Sequence, residues 1–213
     1  MQNIIGLYGD TCSGKSTLGQ QLSEHYTACQ YLSYGDLKRA LLGSGNKVAV
    51  EIASYVGKGK PIPVELSTQV LEGKLCQGIN LVSGYPISEN EVKSLKSLNS
   101  RLIGIVEIKV SHNVQQARFF DRVECPVCYR TGKRGDLCSQ HQIPMVTRSD
   151  LSSTELRARN NLYDQRIVNF LRSTQLTKLP RIVCNGDNEA TSLFKEVAEW
   201  LYTEFAGLLG KGE

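Results

Sequence analysis

Apolar runs closed by glycine recur along this chain and alternate with stretches whose apolar residues fall at helical spacing. Ile4-Ile5-Gly6-Leu7-Tyr8 is apolar on both faces of an extended chain, which predicts a buried central strand of a parallel sheet. Leu18 and Leu22, four apart within residues 16–26, predict a helix directly after it. A short strand is predicted around Tyr31-Leu32-Ser33, stopping at Gly35-Asp36, and a helix over residues 37–42. Residues 45–78 carry two further helical stretches, broken at Gly57-Lys58-Gly59-Lys60-Pro61-Ile62-Pro63. Ile79-Asn80-Leu81-Val82, halted by Gly84-Tyr85-Pro86, predicts a second buried strand, followed by a helix over 89–98. Residues 102–110, rich in isoleucine and valine, predict a long strand, and 111–122 a helix. A long helix is expected over 152–171, capped by Ser152 or Ser153 with Glu155 near its third position. Ile182-Val183-Cys184 is the last strand. Leu193, Val197 and Leu201, at i, i+4 and i+8, mark a closing helix. Strands alternating with helices imply an α/β fold with a parallel sheet and right-handed crossovers.

The periodicity lapses between Val123 and Asp150, where Cys, Gly, Pro and Arg crowd together. That stretch reads as an insert with its own stabilising device. At 213 residues the chain can form one domain with inserts. No run of eighteen apolar residues occurs, so no membrane span is expected. The N-terminus reads as core strand, not as a signal peptide, because Gly9 and Asp10 interrupt it early. A cytoplasmic protein is therefore expected, in which seven cysteines suggest metal binding or free thiols before disulfides. The net charge is only +4, yet eight of the twelve arginines lie between Arg118 and Arg166. Nucleic acid is not needed to explain such a cluster if the chain binds a phosphorylated small ligand.

The segment between the first strand and the first helix points to such a ligand. Gly9-Asp10-Thr11-Cys12-Ser13-Gly14-Lys15-Ser16, with Thr17 behind it, joins the first strand to the first helix in the spacing G-x-x-x-x-G-K-[ST]. Glycine at both ends lets the backbone curl until successive amides point inward as an anion nest, and the helix adds its positive dipole end. Lys15 is placed to bridge the outer phosphates and the Ser16 hydroxyl to hold Mg²⁺. The loop reads as a site for a nucleoside triphosphate. Cys12 sits inside it, where nearby amides could lower its pKa and make it oxidisable.

Within the insert, Cys125-Pro126-Val127-Cys128 is followed by Cys138-Ser139-Gln140-His141. Two ligand pairs of x₂ spacing form a Cys₃His tetrahedral site, closed and structural, since four protein ligands leave no position for a catalytic water. Roughly 30 residues cannot hold a core of their own, so a metal staple is physically reasonable. A redox dithiol at Cys125 and Cys128 is the alternative. Cys76 and Cys184 read as core residues.

In this order, the parts resemble adenylate kinase and its nucleoside monophosphate kinase relatives, in the long-lid, zinc-carrying form, over essentially the whole chain. The family's acceptor segment Ser-Thr-Gly-Asp-x-x-Arg is similar to Ser33-Tyr34-Gly35-Asp36-Leu37-Lys38-Arg39. Its Gly-x-x-Val-Pro-Asp segment is similar to the stretch from Gly59 to Val64 that holds Ile62. Arg118-Phe119-Phe120-Asp121-Arg122 resembles the arginine pair at the lid entrance, and Arg148-Ser149-Asp150-Leu151 with Arg159 resembles the lid exit. The resemblance implies a P-loop NTPase-type parallel sheet flanked by helices, with a core over 1–32, 65–122 and 151–213. A helical acceptor-binding insert over 33–64 and a zinc-bearing lid over 123–150 complete it. It implies transfer of the γ-phosphoryl group of ATP to a nucleoside monophosphate, AMP before others, by a monomer using Mg²⁺ and a structural Zn²⁺. Arg118 would lie on the donor adenine, while Lys15, Arg122, Arg148 and Arg159 clamp the phosphates. Ser33, Tyr34, Gly35, Arg39, Ile62, Gly84, Ile87 and Glu91 would face the acceptor.

The acceptor side also departs from the family. Where relatives read Asp-Gly-Phe-Pro-Arg-Thr-x-x-Gln, this chain has Ser83-Gly84-Tyr85-Pro86-Ile87-Ser88-Glu89-Asn90-Glu91. Ser83 stands in place of a carboxylate that organises Mg²⁺ waters, Ile87 in place of an arginine on the acceptor phosphate, and Glu91 in place of a glutamine that reads adenine. Tyr34 replaces a small threonine facing the base. Glu91 would favour a base edge rich in donors. Three readings follow: a nucleoside monophosphate kinase weak on AMP, a kinase of this fold with an atypical nucleotide or metabolite acceptor, and a regulatory nucleotide-binding module. A transfer clamp is superfluous for binding alone, which weighs against the third.

Overall fold

The computed structural model describes residues 1–56, 62–128, 131–132, 134–147, 152–173 and 176–209. Strand β1 (Gln2–Gly9) lies at the centre of a five-stranded sheet, and its residues from Asn3 to Gly9 are all buried. Around it are β2 (Cys29–Ser33), β3 (Ile79–Ser83), β4 (Ser100–Lys109) and, past three short strands of the insert, β8 (Arg181–Asn185). The order is β2-β3-β1-β4-β8, and every pairing is parallel. This is the parallel α/β sheet expected from the spacing of apolar runs, of the P-loop type that the resemblance implies.

Alternation along the strands divides the core in two, because successive side chains of a strand point to opposite faces. Ile5, Leu7, Leu81, Val106 and Ile108 pack on Leu18 and Leu22 of helix α1 (Lys15–His25) and on Leu193, Val197 and Leu201 of the last helix, α9 (Ala190–Leu209). Ile4, Tyr8, Val82 and Ile105 face the other way, onto Leu71, Leu95, Phe170 and Leu171. Helices α2 (Tyr34–Gly43), α3 (Lys47–Val56) and α4 (Val64–Gln69) close around a small core of their own at Ile52, Leu66 and Val70. Residues 57–61, at the expected break between α3 and α4, lie outside the described residues.

Helix α5 (Glu89–Ser94) tightens into a 3₁₀ turn over Leu95–Leu98, and α6 (His112–Phe120) leads into the insert. There β5 (Val123–Glu124) pairs antiparallel with both β6 (Thr131–Gly132) and β7 (Val146–Thr147). Ser152 is the cap of α7 (Ser153–Leu162), its Oγ accepting from the Glu155 amide at 3.1 Å. The long helix expected over 152–171 is interrupted: a wide π turn spans Tyr163–Val168 before α8 (Asn169–Leu171). The regular 3.6-residue period expected over this stretch did not anticipate the widened turn. Cys184 is buried as expected, but Cys76 is only half-buried, because it sits in the turn before β3 with its backbone bonded to the Asn80 side chain. Among the described residues, no helix is long and apolar enough to cross a membrane.

Candidate active site

The loop between β1 and α1 stands at the carboxyl end of the central strand, where open α/β sheets bind ligands. Gly9 has φ +148°, and a Cβ there would lie 2.4 Å from the Ile108 carbonyl, so no larger residue fits. Gly14 has φ +103° and hands the chain to α1. Cys12, at φ 64°, adopts the left-handed conformation without glycine's freedom, a strain typical of ligand-binding turns. The Lys15 ammonium folds into the concavity, donating to the Gly9 carbonyl (2.7 Å), the Asp10 carbonyl (2.6 Å) and Ser13 Oγ (3.1 Å). Burial, helped by the facing Arg122 guanidinium, brings Lys15 down to about 8, against the opposing pull of Cys12 and Asp10.

A cavity of about 620 Å³ opens over this loop, within the range of nucleotide-sized sites. Thr11 to Thr17 line it, with Arg118, Arg122 and Arg159. Arg118 leaves the last turn of α6 and donates to the Gly186 carbonyl at 2.7 Å. Arg159 comes from α7, its guanidinium 5.8 Å from the centre of the buried Phe119 ring. The two helices are tied by a reciprocal amide pair, Gln115 with Asn160, at 2.8 and 2.9 Å. This pair was not legible in the sequence, since neither residue belongs to a motif. Arg148 lies outside the described residues. Asp10 turns its side chain away, lining a separate polar cavity of about 350 Å³ with Glu107, Tyr163 and Asp164. Burial raises the Asp10 carboxyl, with Lys15 opposing.

At the far end the cavity is walled by Ser33, Gly35, Asp36, Arg39, Ser83 and Gly84. Ser33 also caps α2 by accepting from the Asp36 amide, and Arg39 pairs with Asp36. The other expected acceptor residues do not line it. The Tyr34 ring stacks on Tyr85, with centroids 4.9 Å apart and planes at 17°. Ile62 packs in the α2–α4 core and Ile87 against the main one. Glu91 is buried, and its carboxylate accepts from the Ile87 amide at 2.7 Å. Burial still raises its pKa, despite that bond and others from Ser88.

The insert holds the second chemical centre. Cys138 Sγ lies 3.7 Å from Cys128 Sγ and 3.6 Å from His141 Nδ1, and Cys125 Sγ lies 3.6 Å from the same nitrogen. All four ligand atoms are within 4.8 Å of one another. A tetrahedron with metal–sulfur bonds of about 2.3 Å and a metal–nitrogen bond of about 2.05 Å has S–S edges of about 3.8 Å and S–N edges of about 3.6 Å. These three edges match a tetrahedral site, and the 3.7 Å separation is far too long for a disulfide between Cys128 and Cys138. Burial opposes ionisation of Cys138, but bonds from the His141 and Gln140 amides, the His141 ring and Cys125 bring it down to about 6. By contrast, burial pushes Cys29 and Cys184 up to about 12, as inert core thiols.

No protein-family model matches the chain. Individual relatives do, along most of its length. The adenylate kinase of Chlamydia pneumoniae is 24% identical, aligned over 94% of this chain and 98% of that protein. That of Mesoplasma florum is 25% identical over 96% and 99%, and that of Thermococcus onnurineus 28% over 76% and 77%. The chain is thus similar to adenylate kinases along most of its length. It is an enzyme of the nucleoside monophosphate kinase class. Of the positions 83, 87 and 91 that depart from the family pattern, Ser83 ends β3 and lines the cavity, while Ile87 and Glu91 follow the strand and do not.

Proposed function

We propose that this chain transfers the γ-phosphoryl group of ATP to a nucleoside monophosphate, with AMP the first acceptor to test. One observation carries the reading: Lys15, the pair Arg118 and Arg122, and Arg159, from three separate places in the sequence, line one cavity over a phosphate loop. Phosphoryl transfer needs no covalent catalyst. It needs in-line positioning, and positive charge where the migrating group's oxygens gather it. Arg118 takes the donor base, the loop amides and Lys15 take the β- and γ-phosphates, and Arg122 and Arg159, with Arg148, neutralise the group in transit. Arg39 and the Gly84 amide hold the acceptor phosphate. Bound Mg²⁺ would add charge neutralisation at the phosphates, and the Ser16 hydroxyl is a fitting partner, because Mg²⁺ takes few protein oxygens and keeps several waters. The Cys₃His cluster fits Zn²⁺, which would hold residues 123–150 as a lid that keeps water from the reaction. The acceptor insert over 33–64 and the core over 1–32, 65–122 and 151–213 complete the division of labour, in a cytoplasmic monomer.

A second reading, transfer to an atypical acceptor, has one observation in its favour. The cavity ends at Ser33, Asp36, Arg39 and Ser83, and the stacked Tyr34–Tyr85 pair is not part of its wall. Incubating ATP with AMP, CMP, GMP, UMP and dTMP in turn, and following ADP release, separates the two. Turnover is expected with at least one of the five and a KM for AMP well above that for ATP. ATP binding without acceptor-dependent ADP release for any of them would favour the second reading. Glu91→Gln should leave the acceptor KM within about twofold, since a glutamine oxygen can still accept from the Ile87 amide. A change of tenfold in steady-state assays would put Glu91 back at the base.

Lys15 adds a pH signature. Its ammonium is charged below about 8 in the free protein. Above that pH it must be recharged when phosphates bind. Calorimetry should therefore find ATP affinity level from about pH 7 to about pH 8, then falling up to about tenfold per unit. The same fall in Lys15→Met would assign it to another group.

A further inference from the structure

A chain of three hydroxyls joins the phosphate loop to the end of β3. Tyr31 Oη donates to Ser16 Oγ at 3.0 Å and lies 2.9 Å from Ser83 Oγ. A phenol carries one proton. With that proton on Ser16, the Ser83 hydroxyl is the donor to Tyr31, so the bonds run Ser83 to Tyr31 to Ser16. Ser83 is buried, and Tyr31 packs against the core between the sheet and α1. The register puts this in place: Tyr31 pairs with Leu81 and Ser33 with Ser83, so the Tyr31 and Ser83 side chains leave the same face of the sheet. Gly19, one turn along α1 from Ser16, makes the room. A Cβ at residue 19 would stand 2.1 Å from Tyr31 Cδ2. Glycine is unfavourable inside a helix, so its presence there answers to the ring beneath it.

We infer that Tyr31 is a positioning residue, whose hydroxyl orients Ser16 as an oxygen ligand for the cation carried by the nucleotide, in a chain with serine at position 83. The inference rests on the phosphate-loop reading of the proposed function. An unrestrained serine hydroxyl is spread over three staggered wells. The bond to Tyr31 selects one. When Ser16 offers its lone pair to a cation, its own proton must point elsewhere. Tyr31 can accept it by rotating its own O–H toward Ser83, so the direction of the chain reverses while every proton stays on its oxygen. The relay is neutral, so orientation is fixed without an added negative charge.

The test compares ATP binding by calorimetry in excess Mg²⁺ and in excess EDTA, for wild type, Tyr31→Phe, Ser16→Ala and the double variant. Tyr31→Phe keeps the ring that fills the space over Gly19 and removes only the hydroxyl. It should cut the Mg²⁺-dependent gain in affinity by roughly three- to tenfold, the range of one net hydrogen bond, and leave the EDTA affinity unchanged. The double variant should be no worse than Ser16→Ala. Equal weakening in Mg²⁺ and EDTA would reduce Tyr31 to a packing residue, and additive losses would uncouple it from Ser16. Either result overturns the inference. A Mg²⁺ gain untouched by Ser16→Ala overturns it as well. Ser83→Ala, which trims the other end of the relay, should lower the same gain by about twofold or more, and serves if Tyr31→Phe fails to fold. A Tyr31-dependent Mg²⁺ gain in a protein that turns over no nucleoside monophosphate would sink the nucleoside monophosphate acceptor reading and leave this one standing.

Discussion

Lys15→Ala is expected to lower phosphoryl transfer by roughly 10³-fold or more, the scale of removing one preorganised charge from a developing anion. The ammonium is held by two carbonyls and one hydroxyl of its own loop, with Arg122 across from it. It is thus already aimed where phosphate oxygens would collect. Removing it deletes the charge but not the loop, whose shape depends on Gly9, Gly14 and the Ser13 amide bond to the Asp10 carbonyl. The melting temperature should stay within a few degrees of wild type, because the freed carbonyls border a cavity open to water. Turnover near the wild-type rate in a coupled ADP assay would sink the assignment of this loop as the phosphate site.

The second large effect concerns the metal. Purified protein should carry about one zinc per chain, as one closed four-ligand site requires. Stripping it, or making Cys138→Ser, should lower the melting temperature and reduce turnover by roughly 10²-fold, the cost of misplacing groups around a reacting centre. The reason is local. Strands β5, β6 and β7 are two residues each, too short to hold together unaided. Gly132 of β6 and Arg122 just before β5 both line the cavity. The core sheet needs none of these residues. Far-ultraviolet circular dichroism should therefore change little while activity falls. Metal analysis finding no zinc, with Cys125, Cys128 and Cys138 all open to alkylation, would reject the site.

Part of this was legible in the residues because the signals are short. The phosphate loop, the C-x-x-C pair and the C-x-x-H pair each fit within eight residues, where chain geometry alone brings the groups together. The sheet was legible for a related reason. Strands buried on both faces must be apolar throughout, and Ile4 to Tyr8, Ile79 to Val82 and Leu102 to Ile108 are nearly so. The π turn at Tyr163–Val168 was not legible, since a widened turn keeps a helical pattern of residues. Nor was the direction of Glu91. As a carboxylate near an expected base it read as a specificity residue, yet it is buried, with one oxygen accepting from the Ile87 amide.

By itself, then, the sequence determined the order of the main elements, the glycine-bounded loop after β1 and each of the two x₂-spaced pairs of the Cys₃His cluster, because each depends on residues close in the chain. Only the tertiary structure decided which distant groups share a hydrogen bond. Ser16 and Tyr31 are 15 residues apart, Tyr31 and Ser83 are 52, and Gln115 and Asn160 are 45. No spacing rule connects such residues. They meet because β3 pairs with β2 in one register and α6 packs beside α7, and those placements are settled by burial of the whole core, to which a single hydroxyl or amide contributes almost nothing.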